Sequence, residues 1–319
     1  MSLIYCLSMP LTTARPPDDL LFHYTTLDGL LGIFDTWKLW ATDVRYLSDF
    51  REFANEADVL SRAEQRALEL IANDPEEIAP NSVHKTRRHI QGMASMMKQT
   101  PSEIRGGPYV ACFCEDGDLL SQWRGYGKAG VSLGFSRDAL ATLPPLPNPT
   151  LSRREIEAGP VWMGGPDMGD SFRPRLVKVH YGDPSSEHID EFAQSLVEAA
   201  RLRAAEAEDS HLQAKVEADG MAVVARLKDA AFEAEAEHRL VVLGSWASFA
   251  LDRFRVGTLG LVPYVEIPID LRTCVRWIVI GPPRAAYDAR EQAVLRLLKH
   301  HHLDGARPIY ISNSTVPFR

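Results

Sequence analysis

Apolar residues recur along this chain with two different periods, and the switches between them lay out a strand-rich frame interrupted by helices. Leu20-Leu21-Phe22-His23-Tyr24 reads as a short strand. Thr25 or Thr26 then offers an N-cap for a helix to about Phe34, in which Leu27, Leu30, Leu31 and Phe34 share one face. Lys38 to Thr42 is a second short strand, and Ser48 or Asp49 can cap an acidic amphipathic helix that runs to about Ile71 and stops at Asn73-Asp74-Pro75. Val83 to Met97 reads as another helix. Gly106-Gly107-Pro108 punctuates the chain before the β-rich run Tyr109 to Cys114.

Leu119 to Tyr126 looks helical and Gly130 to Phe135 returns as a strand, after which the Pro- and Gly-rich stretch from Leu143 to Pro174 reads as a surface connection. Arg175 to Tyr181 is a strand. The Ala/Glu-rich, Leu-dotted segment from Glu187 to about Glu233 predicts helix broken near Gly220. Strands follow at Arg239 to Leu243, Val262 to Ile267 and Val275 to Ile280, then a helix from Ala289 to His302 and a strand from Pro308 to Ile311. Strands and helices do not alternate regularly, so the pattern predicts an α+β fold rather than a doubly wound parallel one. The expected architecture is a single domain over 18–319 with a mixed, mostly antiparallel sheet and helical insertions at about 49–105 and 186–233. Residues 1–17, cut by Pro10 and Pro16-Pro17, read as a flexible leader.

Composition narrows the function classes. With 319 residues, 45% of them hydrophobic, the chain can bury a substantial core. A formal net charge of −8 argues against a general affinity for nucleic-acid backbone, which requires concentrated positive surface. No apolar run approaches the roughly 20 residues that a membrane helix needs. The four cysteines, Cys6, Cys112, Cys114 and Cys274, have no disulfide-framework spacing and suit a reducing, cytoplasmic setting. Cys112 and Cys114 share a strand face but lack the second pair of a structural zinc site, and Lys299-His300-His301-His302 reads as a cationic helix end, so no metal is expected.

Three segments carry candidate chemistry. His23-Tyr24-Thr25 ends a strand and opens a helix, where side chains can line a cleft and backbone N–H groups can meet an anion; a packed Tyr beside a capping Thr gives the same pattern. Trp123 and Tyr126 stand three apart, on one face of a helix, and could stack on a planar ring or simply pack in the core. In Phe232 to Val242 an acidic run turns abruptly into a strand. Glu235 and Glu237 lie on one face if the strand has begun, as paired acids that stabilise a sugar oxocarbenium ion do, whereas in a helix they diverge into solvent.

In order along the chain these marks resemble a bacterial family catalogued as domain of unknown function 2971. The resemblance rests on Phe22-His-Tyr-Thr25 with Gly29 and Ile33, Lys38 to Thr42, Cys112-Phe113 with Trp123 and Tyr126, and Gly130 to Phe135. It continues through Phe232 with Glu235, Glu237 and Arg239, Pro263-Tyr264, Ile280-Gly281-Pro282 and the ending Ser314 to Arg319. The same order also resembles the ADP-ribosyltransferase superfamily, whose split sheet carries His or Arg, an aromatic or hydroxyl element, and Glu on three strands. That resemblance implies NAD as substrate. His23 would then hydrogen-bond the nicotinamide ribose with Thr25 in support, and Trp123 or Tyr126 would stack the nicotinamide. Glu237 would hold the ribose hydroxyl and stabilise the oxocarbenium ion, Glu235 would position or deprotonate the acceptor, and Tyr24 and Arg239 would complete the binding site. Two positions depart from the superfamily pattern. Members with a Glu-x-Glu pair generally carry Arg where this chain has His23, and His-type members usually carry Gly where it has Tyr24.

Two expectations from different classes follow. One is an NAD-dependent ADP-ribosyltransferase or NAD glycohydrolase, of the kind that serves bacterial stress or phage-defence systems, acting on a dinucleotide and an unspecified acceptor. The other is a non-catalytic nucleotide- or protein-binding module in which His23, Glu235, Glu237 and Arg239 form a structural polar network. In either case the Ala-rich helices between Ile189 and Ala231 could pack against a second copy.

Overall fold

A computed structural model describes residues 16–47, 56–74, 80–99, 108–146, 173–205, 212–242, 253–257, 260–282, 287–305 and 307–317. The expected leader, up to residue 15, and most of the connection from Leu143 to Pro174 lie outside these residues. The strands are β1 Leu20–Thr25, β2 Lys38–Asp43, β3 Tyr109–Cys114, β4 Val131–Ser136, β5 Arg175–Lys178, β6 His180–Tyr181, β7 Leu227–Lys228, β8 Glu237–Val242, β9 Arg253–Gly257, β10 Gly260–Pro268, β11 Val275–Ile280 and β12 Tyr310–Asn313. The principal helices are α1 Leu27–Thr36, α2 Glu56–Ala72, α3 Pro80–Gln99, α4 Leu120–Gln122, α5 Arg137–Ala141, α6 Ser186–Ala204, α7 Leu212–Val224, α8 Leu271–Cys274 and α9 Tyr287–His300.

The fold is α+β, built on a mixed, mostly antiparallel sheet. Its main path runs β12-β11-β4-β1-β3-β2-β10-β9, in which β11 and β12, joined through α9, pair in parallel, and β6 and β7 form a separate two-stranded parallel pair. At β3 the sheet forks. One edge of β3 is fully taken by β8, from Tyr109 opposite Val242 to Cys114 opposite Glu237. The other is shared, with β2 reaching Val110 and Tyr109 and β1 reaching only Cys114 through Phe22. Between those contacts β1 and β2 part, and among the described residues the backbone of β3 there has no neighbouring strand on that side.

One face of the sheet is packed by Leu21, Phe113, Leu133, Phe135, Leu240, Val265 and Ile278 together with α1 and α9. On the other side a helical layer buries its own core, and both predicted insertions contribute to it. Val59, Ala63 and Ala67 of α2, Ile90 and Met93 of α3, Phe192, Ala193, Leu196 and Ala200 of α6, and Val216 and Val223 of α7 meet there at helical spacing. Gly220 sits inside α7 rather than breaking it. A Cβ at that position would lie 2.4 Å from the Phe192 ring, so the glycine admits α6 to close contact. Helix gives way to β7 after Val224, and here the alternation of a strand separates two neighbours: Leu227 joins the helical core while Lys228 turns toward the fork.

Candidate functional site

A cavity of about 70 Å³ opens at the fork, lined by Phe22, His23 and Tyr24 of β1, Leu47, Cys112 and Cys114 of β3, Gln122, Tyr126, Lys228, Glu235, and Glu237 and Arg239 of β8. Segments far apart in sequence therefore bring an imidazole, an aromatic ring and two carboxylates to one place.

The floor is an ion-pair network. Glu237 opens β8 and is 2% exposed; its Oε1 accepts from Arg239 Nε at 2.8 Å and its Oε2 from Lys228 Nζ at 2.7 Å. Burial alone would raise this carboxyl, but Arg239 and Lys228 outweigh it and hold the group at about 2, ionised at any ordinary pH. Arg239 also donates through Nη1 to the carbonyl of Ala225 at 2.9 Å, tying the end of α7 to the floor. Lys228 Nζ donates to Glu235 Oε2 at 2.9 Å as well, and the two carboxylates hold its ammonium charged against the cost of burial. The Glu237 backbone N–H donates to the Tyr181 hydroxyl at 2.7 Å, which fixes where β8 begins. Cys112 and Cys114 are pushed up first by burial and then by the Glu237 charge, so they stand in the cavity as neutral thiols rather than nucleophiles.

The carboxylate pair does not arise from one strand face. Glu235 ends a 3₁₀ turn over Ala230–Glu235, Ala236 takes a left-handed conformation with φ 43°, and Glu237 begins β8. The kink swings both carboxylates onto Lys228. Glu235 is the accessible member, and among the described residues its Oε1 has no protein hydrogen-bond partner.

His23 occupies the gap where β1 leaves β3. Its Nδ1 donates to the Cys112 carbonyl at 2.9 Å, an acceptor that a continued ladder would give to the backbone of β1. A carbonyl can only accept, so Nδ1 carries the proton. Burial lowers the ring's pKa and keeps it neutral, leaving Nε2 as a bare acceptor on the cavity. Tyr24 lends its ring to the wall, while its hydroxyl donates to the Asp116 carbonyl and accepts from the Leu119 N–H.

Three predicted residues take other places. Trp123 is fully buried: its ring meets Tyr24 edge-on at 4.8 Å, its Nε1 donates to Asp118 at 2.8 Å, and it is walled by Gly127 and Gly281. Residues Trp123–Gly127 form a π turn, closed by Lys128 N–H donating to the Trp123 carbonyl, so Trp123 and Tyr126 do not share a face as α spacing predicts. Tyr126, 45% exposed, stands at the mouth. Thr25 does not line the cavity; it packs against Gly29, while Thr26 caps α1 by accepting from the Gly29 N–H at 3.2 Å. Arg239 spends its fork on Glu237 and Ala225, as part of the floor.

Sequence reading missed Lys228 and Gln122. Lys228 lay inside a stretch read as helix; the signal that could have found it is Asp229, whose carboxylate caps the following 3₁₀ turn and marks the end of α7's run. Gln122 is 5% exposed, lines the cavity, and its carboxamide has no hydrogen-bond partner among the described residues.

Neither the curated proteins nor the solved structures give a match to this chain. A family model described as "Protein of unknown function (DUF2971)" matches residues 122–240. The matched stretch holds Gln122, Tyr126, Lys228, Glu235, Glu237 and Arg239, whereas His23 and the two cavity cysteines lie before it. By that stretch, which carries most of the charged lining of the cavity, the chain is similar to the DUF2971 family.

Proposed function

We propose that this chain cleaves the N-glycosidic bond between nicotinamide and ribose in an NAD-like dinucleotide, passing the ADP-ribosyl group to water or another acceptor. The observation that carries this reading is the convergence of His23, Tyr126, Glu235 and Glu237 on one solvent-reachable cavity at the fork of the sheet. At about 70 Å³ the cavity has room for about five waters, the scale of one substituted ring rather than a whole dinucleotide. The nicotinamide end enters, and the rest of the substrate runs outward past Tyr126.

In the reaction the bond from C1′ to the ring nitrogen breaks, and its electron pair leaves with nicotinamide, whose ring becomes neutral. Positive charge builds on the ribose. The Glu235 carboxylate stabilises that charge more strongly in the transition state than in the ground state, as catalysis requires. The acceptor then bonds to C1′ and yields its proton to Glu235. His23 Nε2 accepts from a ribose hydroxyl. Glu237, already neutralised by two cations, fixes Lys228, and through Lys228 the position of Glu235.

Purified protein incubated with NAD should release free nicotinamide, and Glu235→Gln should lower the rate by about 10²-fold. No release by the wild-type chain would sink the proposal. A second reading is favoured by the floor: Glu237, Arg239 and Lys228 satisfy one another without a ligand, as a structural network does. It predicts that NAD is neither bound nor cleaved.

A further inference from the structure

A glutamine that is 5% exposed normally has its carboxamide spoken for, because an unpaired buried amide costs stability. Gln122 is an exception. Neither end of its side chain hydrogen-bonds within the described residues, neither is among the fully sealed unpaired atoms, and the residue lines the cavity. The π turn that carries Tyr126 to the mouth starts directly after Gln122, so one short segment supplies both an aromatic plate and an amide beside it. Two other atoms on the wall without a partner among the described residues, His23 Nε2 and Glu235 Oε1, are acceptors only. Gln122 is therefore the group among these three that offers a donor and an acceptor side by side.

We infer that Gln122 selects the ligand's ring by its edge, pairing its own N–H and C=O with a ring carboxamide while the ring lies against Tyr126. The inference rests on the nicotinamide reading above and names what that cavity recognises. A carboxamide meets Gln122 with two complementary hydrogen bonds. A carboxylate on the same ring sets one of its oxygens against the Gln122 carbonyl oxygen, acceptor to acceptor, and sites that hydrogen-bond a substrate group reject analogues that cannot answer it. Adenine carries a similar donor–acceptor edge and is the competing occupant.

The test is calorimetric titration of the full chain with nicotinamide, nicotinate and adenine, for wild type and Gln122→Leu, together with denaturant unfolding of both. We expect wild type to bind nicotinamide at least about tenfold more tightly than nicotinate, and Gln122→Leu to erase that preference. Gln122→Leu should unfold no earlier than wild type, since no protein group loses a partner, whereas a structural amide would cost stability on removal. Equal binding of amide and acid, binding of neither, a preference retained in Gln122→Leu, or a Gln122-dependent preference for adenine would each overturn the assignment. The two proposals fail separately: NAD cleavage without amide preference sinks this inference alone, and amide-selective binding without NAD cleavage sinks the enzymatic reading alone.

Discussion

At the floor of the cavity both oxygens of Glu237 are met by cations, Oε1 by Arg239 and Oε2 by Lys228. On the wall beside it, His23 Nε2, the Gln122 carboxamide and Glu235 Oε1 have no protein partner among the described residues. One fork of the sheet thus brings together a paired polar cluster and a set of polar groups without protein partners among the described residues. A paired buried charge is a holding device, because removing either partner strands the other in low dielectric. An unpaired group beside a cavity is costly without a ligand and useful with one. The floor therefore fixes geometry, and the wall is where recognition resides.

The largest loss is expected at Lys228. Lys228→Met leaves Glu237 with one cation fewer and Glu235 with none, and should cost about 3–5 kcal/mol in denaturant unfolding. A loss near zero would mean that the floor is not a holding device. Glu237→Gln should behave similarly, which makes it a poor probe of chemistry, since it perturbs fold and site together.

Acid gives a second handle. Glu237 is held at about 2, below its ordinary 4.5, so its contribution is full above 4.5 and is lost as pH falls toward 2, by about 3 kcal/mol. His23, lowered by burial, adds to the loss as pH falls below its ordinary 6.5. Stability followed from neutral pH downward should fall across both windows in wild type, and below 4.5 it should fall less steeply in Lys228→Met; identical slopes there would remove Lys228 from the cause.

On the wall, Glu235→Gln should lower NAD cleavage by about 10²-fold, roughly 2.7 kcal/mol of barrier, with a smaller change in stability than Lys228→Met. The smallest effect is expected at the mouth. Tyr126→Ala should weaken nicotinamide binding by roughly twofold to tenfold, the worth of one aromatic contact.

How much of this was legible in the sequence differs between floor and wall. The strand after the acidic run was visible from Arg239 onward, with Glu235 and Glu237 left open between one strand face and a solvated helix, and the turn after β1 was visible through its cap. Fork geometry follows from β1 and β2 competing for one edge of β3, a relation between distant segments that local periodicity does not encode. Lys228 was hidden because a two-residue strand has no period of its own, and the Ala/Glu-rich stretch before it is helical. The π turn defeated the spacing argument at Trp123 and Tyr126: one extra residue in a turn changes which side chains share a face without altering composition. Gln122 was legible as a residue but not as an unpaired one, since lack of a partner is a property of packing. Strand β9, short and adjoining residues outside the description, carried no pattern strong enough to register.

The division between floor and wall is tested most directly by unfolding the protein across a series of NAD concentrations, for wild type and for Gln122→Leu combined with Glu235→Gln. Wild type should gain stability steadily, by about 2.7 kcal/mol at a hundredfold excess over Kd, while the double variant, folded through its intact floor, gains none. A wild-type unfolding curve that stays fixed at every NAD concentration would contradict the account.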